Sequence, residues 1–212
     1  MLAISTYLNL EVHHVDFEIT FLHGDLEETF YMEQPKMMEN DKYLDYVCKL
    51  NKPLYGLKQS PRQWYAKLHK FLLNANFTRL YSEPNLYVRK KKSKFIILGV
   101  YVDDLPIAGT SEKEILEVIK ELQHNFPVKH LGPLEHFLGI HVQRNQSLGI
   151  LSLSQAKYVD NILNKFDMAE CSPISTPLTV PCKLSSRDSP QTDDEACVMK
   201  NIPYRQVASD TW

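Results

Sequence analysis

Apolar positions along this chain recur with two periods, and the period decides which element each stretch can form. Leu2, Thr6 and Leu10 stand at fourfold spacing, which predicts the end of a helix. Residues 11–17, EVHHVDF, alternate toward strand character. Ser60-Pro61 predicts a helix start, with Ser as the N-cap and Pro in the first helical position. Trp64, Leu68, Phe71, Leu72 and Ala75 then fall on one face. Residues 86–88 and 95–102 read as strands joined by RKKKSK, a solvated hairpin loop. Ser111-Glu-Lys-Glu114 has the spacing of a capping box ahead of a stripe at Ile115, Val118, Leu122 and Phe126. Another helix is expected from Ser154, burying Val159, Ile162, Leu163 and Phe166. From Ser172 onward Pro173, Pro177, Pro181, Pro190 and Pro203 punctuate a Ser/Thr/Asp-rich stretch, which reads as a linker or extended arm.

One stretch breaks its own pattern. GVYVDDLPIAG, residues 99–109, places two carboxylates between β-branched and aromatic neighbours, although Asp is depleted in strands and costly to bury unpaired. A tight hairpin turn would explain the pair without any chemistry. A hard divalent cation held at a hairpin tip would explain it with chemistry, given a further carboxylate nearby. Asp16 is the candidate, because it sits where VHHVDF gives way to a turn. Together with Asp103 and Asp104 it could share two Mg²⁺ ions, which stand roughly 3.5–4 Å apart in two-metal sites. Spacing alone is weak support. His13 and His14 are adjacent, so on a strand they face opposite ways and cannot chelate together; both are expected to be structural.

Composition changes this picture little. The 212 residues, 43% hydrophobic, suit one sizeable domain or two small ones. No apolar run approaches a membrane span of about 20 residues, and no basic segment with a cleavage site opens the chain, so a soluble, unsecreted protein is expected. Cys48, Cys171, Cys182 and Cys197 form no metal-binding spacing and are expected to be reduced thiols. The net charge of −2 hides a segregation: residues 1–41 balance to −8, residues 42–94 to +11 and residues 95–212 to −5. A basic middle beside an acidic cluster suits a phosphate-binding path next to a cation site.

VDFEITFLHGDLEETFYMEQP, CKLNKPLYGLKQSPRQWY, LGVYVDDLPIAG, HLGPLEHFLGIHV and LSLSQAKYVDNIL occur in this order. In order and wording they resemble the reverse transcriptase of copia-type long-terminal-repeat retrotransposons over nearly all of residues 1–179, and PYRQ at 203–206 resembles the start of that family's next segment. The resemblance implies an α+β fold, the right-hand polymerase palm in which an antiparallel sheet is crossed by helices, with partial fingers and thumb. It implies a domain over residues 1–170 and a connecting segment over residues 171–212 leading toward a ribonuclease H region. Asp16 matches the first catalytic aspartate, and Asp103 and Asp104 match the pair of the Tyr-x-Asp-Asp box that begins at Tyr101, all three as ligands of two Mg²⁺ ions.

By the same resemblance Phe21 is an aromatic gate against the 2′-hydroxyl of a ribonucleotide. Tyr55, Gly56 and Lys58 line the nucleotide pocket, where Gly56 permits close backbone approach. Arg62, Tyr101, Phe137, Leu138 and Gly139 meet template or primer. The implied partners are deoxynucleoside triphosphates and an RNA or DNA template with its primer, without a membrane, in the cytoplasm or in virus-like particles. Three departures are expected to matter. The family's basic fingers region precedes the position of residue 1, so a truncated copy is expected. Glu18 stands where the family usually has Lys, an added anion beside the triphosphate. Pro106 replaces an aliphatic residue and is expected to distort the hairpin. Retained polymerase activity and an inactive remnant that binds nucleic acid through residues 42–94 both stay open.

Overall fold

A computed structural model of the chain describes residues 1–91, 94–173, 185 and 189–200. It divides into two compact units, Met1–Leu153 and Ser154–Trp212.

In the first unit the alternating and helical stretches form the elements their periods favour. The helix α1 (Leu2–Tyr7) leads into the strand β1 (Glu11–Phe17) and a 3₁₀ turn at Thr20–His23. Then come β2 (Tyr31–Met32), β3 (Cys48–Lys49), α2 (Ser60–Asn74), β4 (Thr78–Arg79), β5 (Leu86–Lys91), β6 (Lys94–Gly99) and β7 (Asp104–Gly109). The rest is α3 (Glu112–Asn125), β8 (Val128–Pro133), β9 (His136–Phe137), β10 (Ile140–Asn145) and β11 (Ile150–Ser154). Six strands make one sheet in the order β4-β5-β6-β7-β1-β8, β11-β10-β9 make a second, and β2 pairs with β3. Neighbouring strands β1–β7, β1–β8, β2–β3, β4–β5, β5–β6, β6–β7 and β9–β10 pair antiparallel, so the fold is α+β with antiparallel sheets.

Alternation sorts β1 into two faces. His13, Val15 and Phe17 are buried, whereas Val12, His14 and Asp16 are only partly covered. Val15 and Phe17 join Trp64, Leu68 and Leu72 of α2, Ile115, Val118 and Leu122 of α3, and Leu105 and Ile107 of β7 in the main core. Each fully buried Leu or Ile there contributes on the order of 2 kcal/mol. The opposite face carries a smaller cluster around Leu10, Ile97 and Ala108. Tyr87 of β5 is enclosed by the core, its hydroxyl bonded to the Tyr65 hydroxyl at 2.9 Å and to His69 Nδ1 at 2.7 Å. Burial and the Tyr65 bond push its pKa far above the ordinary tyrosine value.

Several local expectations change. Gln59, not Ser60, is the N-cap of α2, because the Ser60 hydroxyl donates instead to Leu54 O at 2.6 Å and ties down the preceding loop. Ser111 is the N-cap of α3 without a side-chain bond, and the Glu114 carboxylate accepts from Thr110 Oγ1 and pairs with Lys94 Nζ at 3.2 Å rather than closing a capping box. RKKKSK is mostly strand: β5 runs through Lys91, and Arg89 is held by Glu121, by Ala75 O and by the face of Phe77. Lys92 and Ser93 lie outside the described residues.

Pro106 leaves the hairpin intact. Leu98 pairs with Ile107 on one side of it and Tyr101 with Asp104 on the other, in one continuous register. Between them the Gly99–Pro106 and Val100–Leu105 rungs are missing, where the proline supplies no N–H and its Cγ would stand 3.1 Å from a Cβ on Gly99.

In the second unit α4 (Ala156–Lys165) forms as expected, but none of its residues is buried, so the expected apolar face over Val159, Ile162, Leu163 and Phe166 is not enclosed. The Pro/Ser/Thr-rich stretch contains a further helix, α5 (Asp193–Met199), capped by a full box between Thr192 and Glu195. Cys182, Pro177, Pro181, Pro203 and the PYRQ segment fall outside the described residues. Among the described residues no helix is long and apolar enough to cross a membrane.

Candidate functional site

The three acidic residues meet on the less covered face of the six-stranded sheet. β1 lies between β7 and β8, and Asp16 is the register partner of Asp104 on one side and of Lys129 on the other. Phe17 N–H donates to Asp103 O at 2.9 Å. Asp16 and Asp104 are therefore a non-hydrogen-bonded pair, the kind whose Cα atoms stand about 4.5 Å apart and whose side chains lie closest. Asp103 occupies the turn one residue earlier.

Tyr101 and Asp104 exchange both backbone hydrogen bonds at 2.9 Å, so Val102 and Asp103 form a two-residue hairpin turn. The hairpin and the acidic cluster are thus one feature. Val102 has φ +55, where a β-branched residue costs about 1–3 kcal/mol. Its carbonyl accepts from the Trp64 indole Nε1–H at 2.9 Å.

Electrostatics follow from this crowding. Burial, then the Asp104 and Asp103 charges, raises the Asp16 pKa, while His14 and Lys129 partly offset them. His14 Nε2 bonds Asp104 Oδ1 at 2.7 Å, with the imidazole 12% and the carboxylate 28% exposed. Among the described residues no three His, Cys, Asp or Glu side chains form a ready metal cage. The donor set nevertheless fits a hard cation: clustered carboxylate oxygens, one of them with its charge held at a disadvantage.

Glu18 points its charge away from being a lone anion. Its Oε1 pairs with Lys129 Nζ at 2.7 Å, and that carboxylate raises the lysine's pKa. The expected uncompensated charge reversal is therefore an ion pair beside Asp16.

The other candidates form two groups. Phe21 is buried in the 3₁₀ turn, its ring 4.3 Å from that of Tyr55, which is 60% exposed. Gly56 has φ +95 with open space where a Cβ would stand, so backbone conformation, rather than the close approach expected from sequence, calls for glycine there. Lys58 and Arg62 are exposed and in no ion pair among the described residues. Tyr101 is exposed beside the turn. Leu138 and Gly139, both with positive φ, make the two-residue turn between β9 and β10, and Phe137 packs edge-on against His14 with centroids 6.0 Å apart. The Phe137 hairpin is thereby joined through His14 to Asp104.

Sequence reasoning missed His14, Lys129 and the hydrogen bond of Trp64. A period of two puts His14 on the face of Asp16, so that signal was present; the other two contacts span segments that no local pattern relates. His13 behaves as expected: on the opposite face its Nδ1 bonds His130 Nε2 at 2.8 Å.

Residues 1–180 match the family model described as reverse transcriptase (RNA-dependent DNA polymerase). The chain is 42% identical over 205 residues to the retrovirus-related Pol polyprotein from transposon TNT 1-94 of Nicotiana tabacum, covering 96% of this chain and 15% of that protein. It is 34% identical over 185 residues to the Pol polyprotein from transposon RE1 of Arabidopsis thaliana, covering 87% of this chain and 12% of the relative. It is also similar to a putative transposon Ty5-1 protein of Saccharomyces cerevisiae, 31% identical over 180 residues, 85% of this chain and 58% of the relative.

Proposed function

Because the chain belongs to the reverse transcriptase (RNA-dependent DNA polymerase) family of copia-type retrotransposon Pol polyproteins, we propose that it carries the catalytic palm for adding deoxynucleotides to a primer 3′-hydroxyl on an RNA or DNA template. The six-stranded sheet with α2 and α3 is the palm, and residues around 25–58 and the second unit belong to partial fingers and thumb. The observation that carries this proposal is the facing of Asp16 and Asp104 across β1 and β7, with Asp103 on the adjoining turn.

Asp16, Asp103 and Asp104 are the residues that would hold two Mg²⁺ ions, whose chemistry when bound would be to lower the pKa of the attacking hydroxyl and to neutralise charge on the departing pyrophosphate. Each side chain then has a task. The carboxylates fix where the reacting phosphate stands, because β1 and the hairpin turn hold them on one rigid sheet. Phe21, packed against Tyr55, occupies the space a 2′-hydroxyl would need. Lys58 and Arg62 face solvent and draw in phosphates. The Phe137–Gly139 turn, braced on His14, supports the primer end.

A second proposal has its own observations: His14 holds one Asp104 oxygen, and Glu18 engages Lys129 in an ion pair beside Asp16. Both favour a remnant that binds nucleic acid without extending it. Primer extension on an RNA template decides between them. Mg²⁺-dependent extension that Asp103→Asn abolishes supports the polymerase; salt-sensitive primer–template binding without extension supports the remnant.

A further inference from the structure

Trp64 lies on α2 with 2% of its surface exposed, yet its position does more than fill the core. Its indole N–H donates to Val102 O across 38 residues of chain. The next carbonyl, Asp103 O, accepts from Phe17 N–H. Two donors thus grip consecutive carbonyls of one turn.

Both donors belong to residues of one aromatic cluster. The Phe17 and Trp64 rings meet edge-on at 4.7 Å, and Phe126 packs against them at 5.5 and 5.6 Å. The turn needs such a grip for two reasons. Val102 sits at φ +55, a conformation a β-branched residue keeps only where its surroundings impose it. The β6–β7 ladder also lacks its Gly99–Pro106 and Val100–Leu105 rungs next to the turn, so the hairpin tip has fewer ties to its own strand partner. One turn before Trp64, at its N-terminal end, α2 also reaches back to the loop of Tyr55 and Gly56, through the Ser60 hydroxyl bond to Leu54 O.

We propose that Trp64 is a positioning residue: its indole N–H pins the Val102–Asp103 turn, sets the carboxylates of Asp103 and Asp104 against Asp16, and ties that geometry to the 54–59 loop. This rests on the polymerase proposal above for its kinetic consequence, though not for the clamp itself.

The test compares Trp64→Phe, which keeps an aromatic ring and removes the N–H, with Phe126→Leu, which loosens the same cluster without touching the turn. In the full chain, amide hydrogen exchange is read by NMR at Asp103 and Asp104, together with the exchange of the indole proton of Trp64. Primer extension gives kcat and KM for the deoxynucleotide, and thermal melting gives stability. Trp64→Phe is expected to speed exchange at Asp104 and to lower kcat by roughly 10- to 100-fold, the cost of ångström-scale misplacement, with KM within about twofold. Phe126→Leu is expected to lower the melting temperature at least as far while leaving kcat and the Asp104 amide near wild type. Unchanged exchange at Asp103 and Asp104 in Trp64→Phe overturns the clamp, whatever the enzyme does. Equal kcat losses in both variants overturn it as well, because packing alone would then account for the effect. A wild-type chain that extends no primer removes the polymerase proposal, and the exchange measurements still decide the clamp.

Discussion

Burial, then the neighbouring Asp104 and Asp103, pushes the Asp16 charge up in energy, and His14 and Lys129 pull it down. Asp16→Asn should therefore stabilise the metal-free chain by on the order of 1 kcal/mol, about 2–4 °C in melting temperature at this size, while abolishing extension. Scanning calorimetry in a chelator, paired with the extension assay, checks both halves. Glu18 invites a second substitution. Glu18→Gln releases Lys129 from its 2.7 Å partner, so under the polymerase proposal the KM for deoxynucleotide should fall about two- to fivefold, with kcat little changed. On the opposite face of β1, burial and then the His130 ring hold the His13 pKa below its ordinary value near 6.5. A depressed histidine contributes stability that is present above its unfolded pKa and lost as pH falls through the folded one. Unfolding free energy should thus decline on acidification below about pH 6.5, and His13→Gln should flatten that limb in urea titrations taken at several pH values.

At the level of elements, the β6–β7 hairpin is where most constraints meet. Its far end is closed by Gly109, where an added Cβ would lie 2.9 Å from Ile115 Cγ1 of α3. Gly109→Ala should cost about 1–3 kcal/mol, read as a lower urea midpoint at constant m-value, because α3 cannot retreat from a packed core without opening it. Pro106 illustrates why an element can absorb a residue that propensity forbids. The strand lies between two partners, but the single missing donor falls on the β6 side, and pairing with β1 continues through His14–Pro106 to Asp16–Asp104. The helices show the complementary lesson. Ser60 and Ser111 sit within one residue of the expected starts, yet their hydroxyls do not cap, because Leu54 O captures the first and Glu114 turns to Thr110 and Lys94. A cap pattern names a boundary more reliably than it names a bond.

For the molecule as a whole, the core is confined to the first unit: every residue of both buried clusters lies before residue 143, and no described residue of the second unit is buried. A chain ending at Leu153 should therefore keep a single cooperative urea transition, with a midpoint close to that of the full chain. Charge acts on the same scale. The excess of cations over residues 42–94 should give primer–template affinity a steep inverse dependence on salt, measurable by anisotropy, in either proposal for function.

What the sequence determined by itself is what local periodicity and motif wording can carry. The alternation of EVHHVDF gave β1 its bounds and separated His13 from His14, the stripes of α2 and α3 named the core that the helices bury, and the ordered motifs gave the family. Only the tertiary structure decided which side chains meet. His14 finds Asp104 across 90 residues and Trp64 finds Val102 across 38, because the sheet order seats β1 between β7 and β8 and lays α2 beneath the turn. A repeat of two or 3.6 residues reports on the face of one element. The choice of neighbour for that face belongs to the packing of all of them at once.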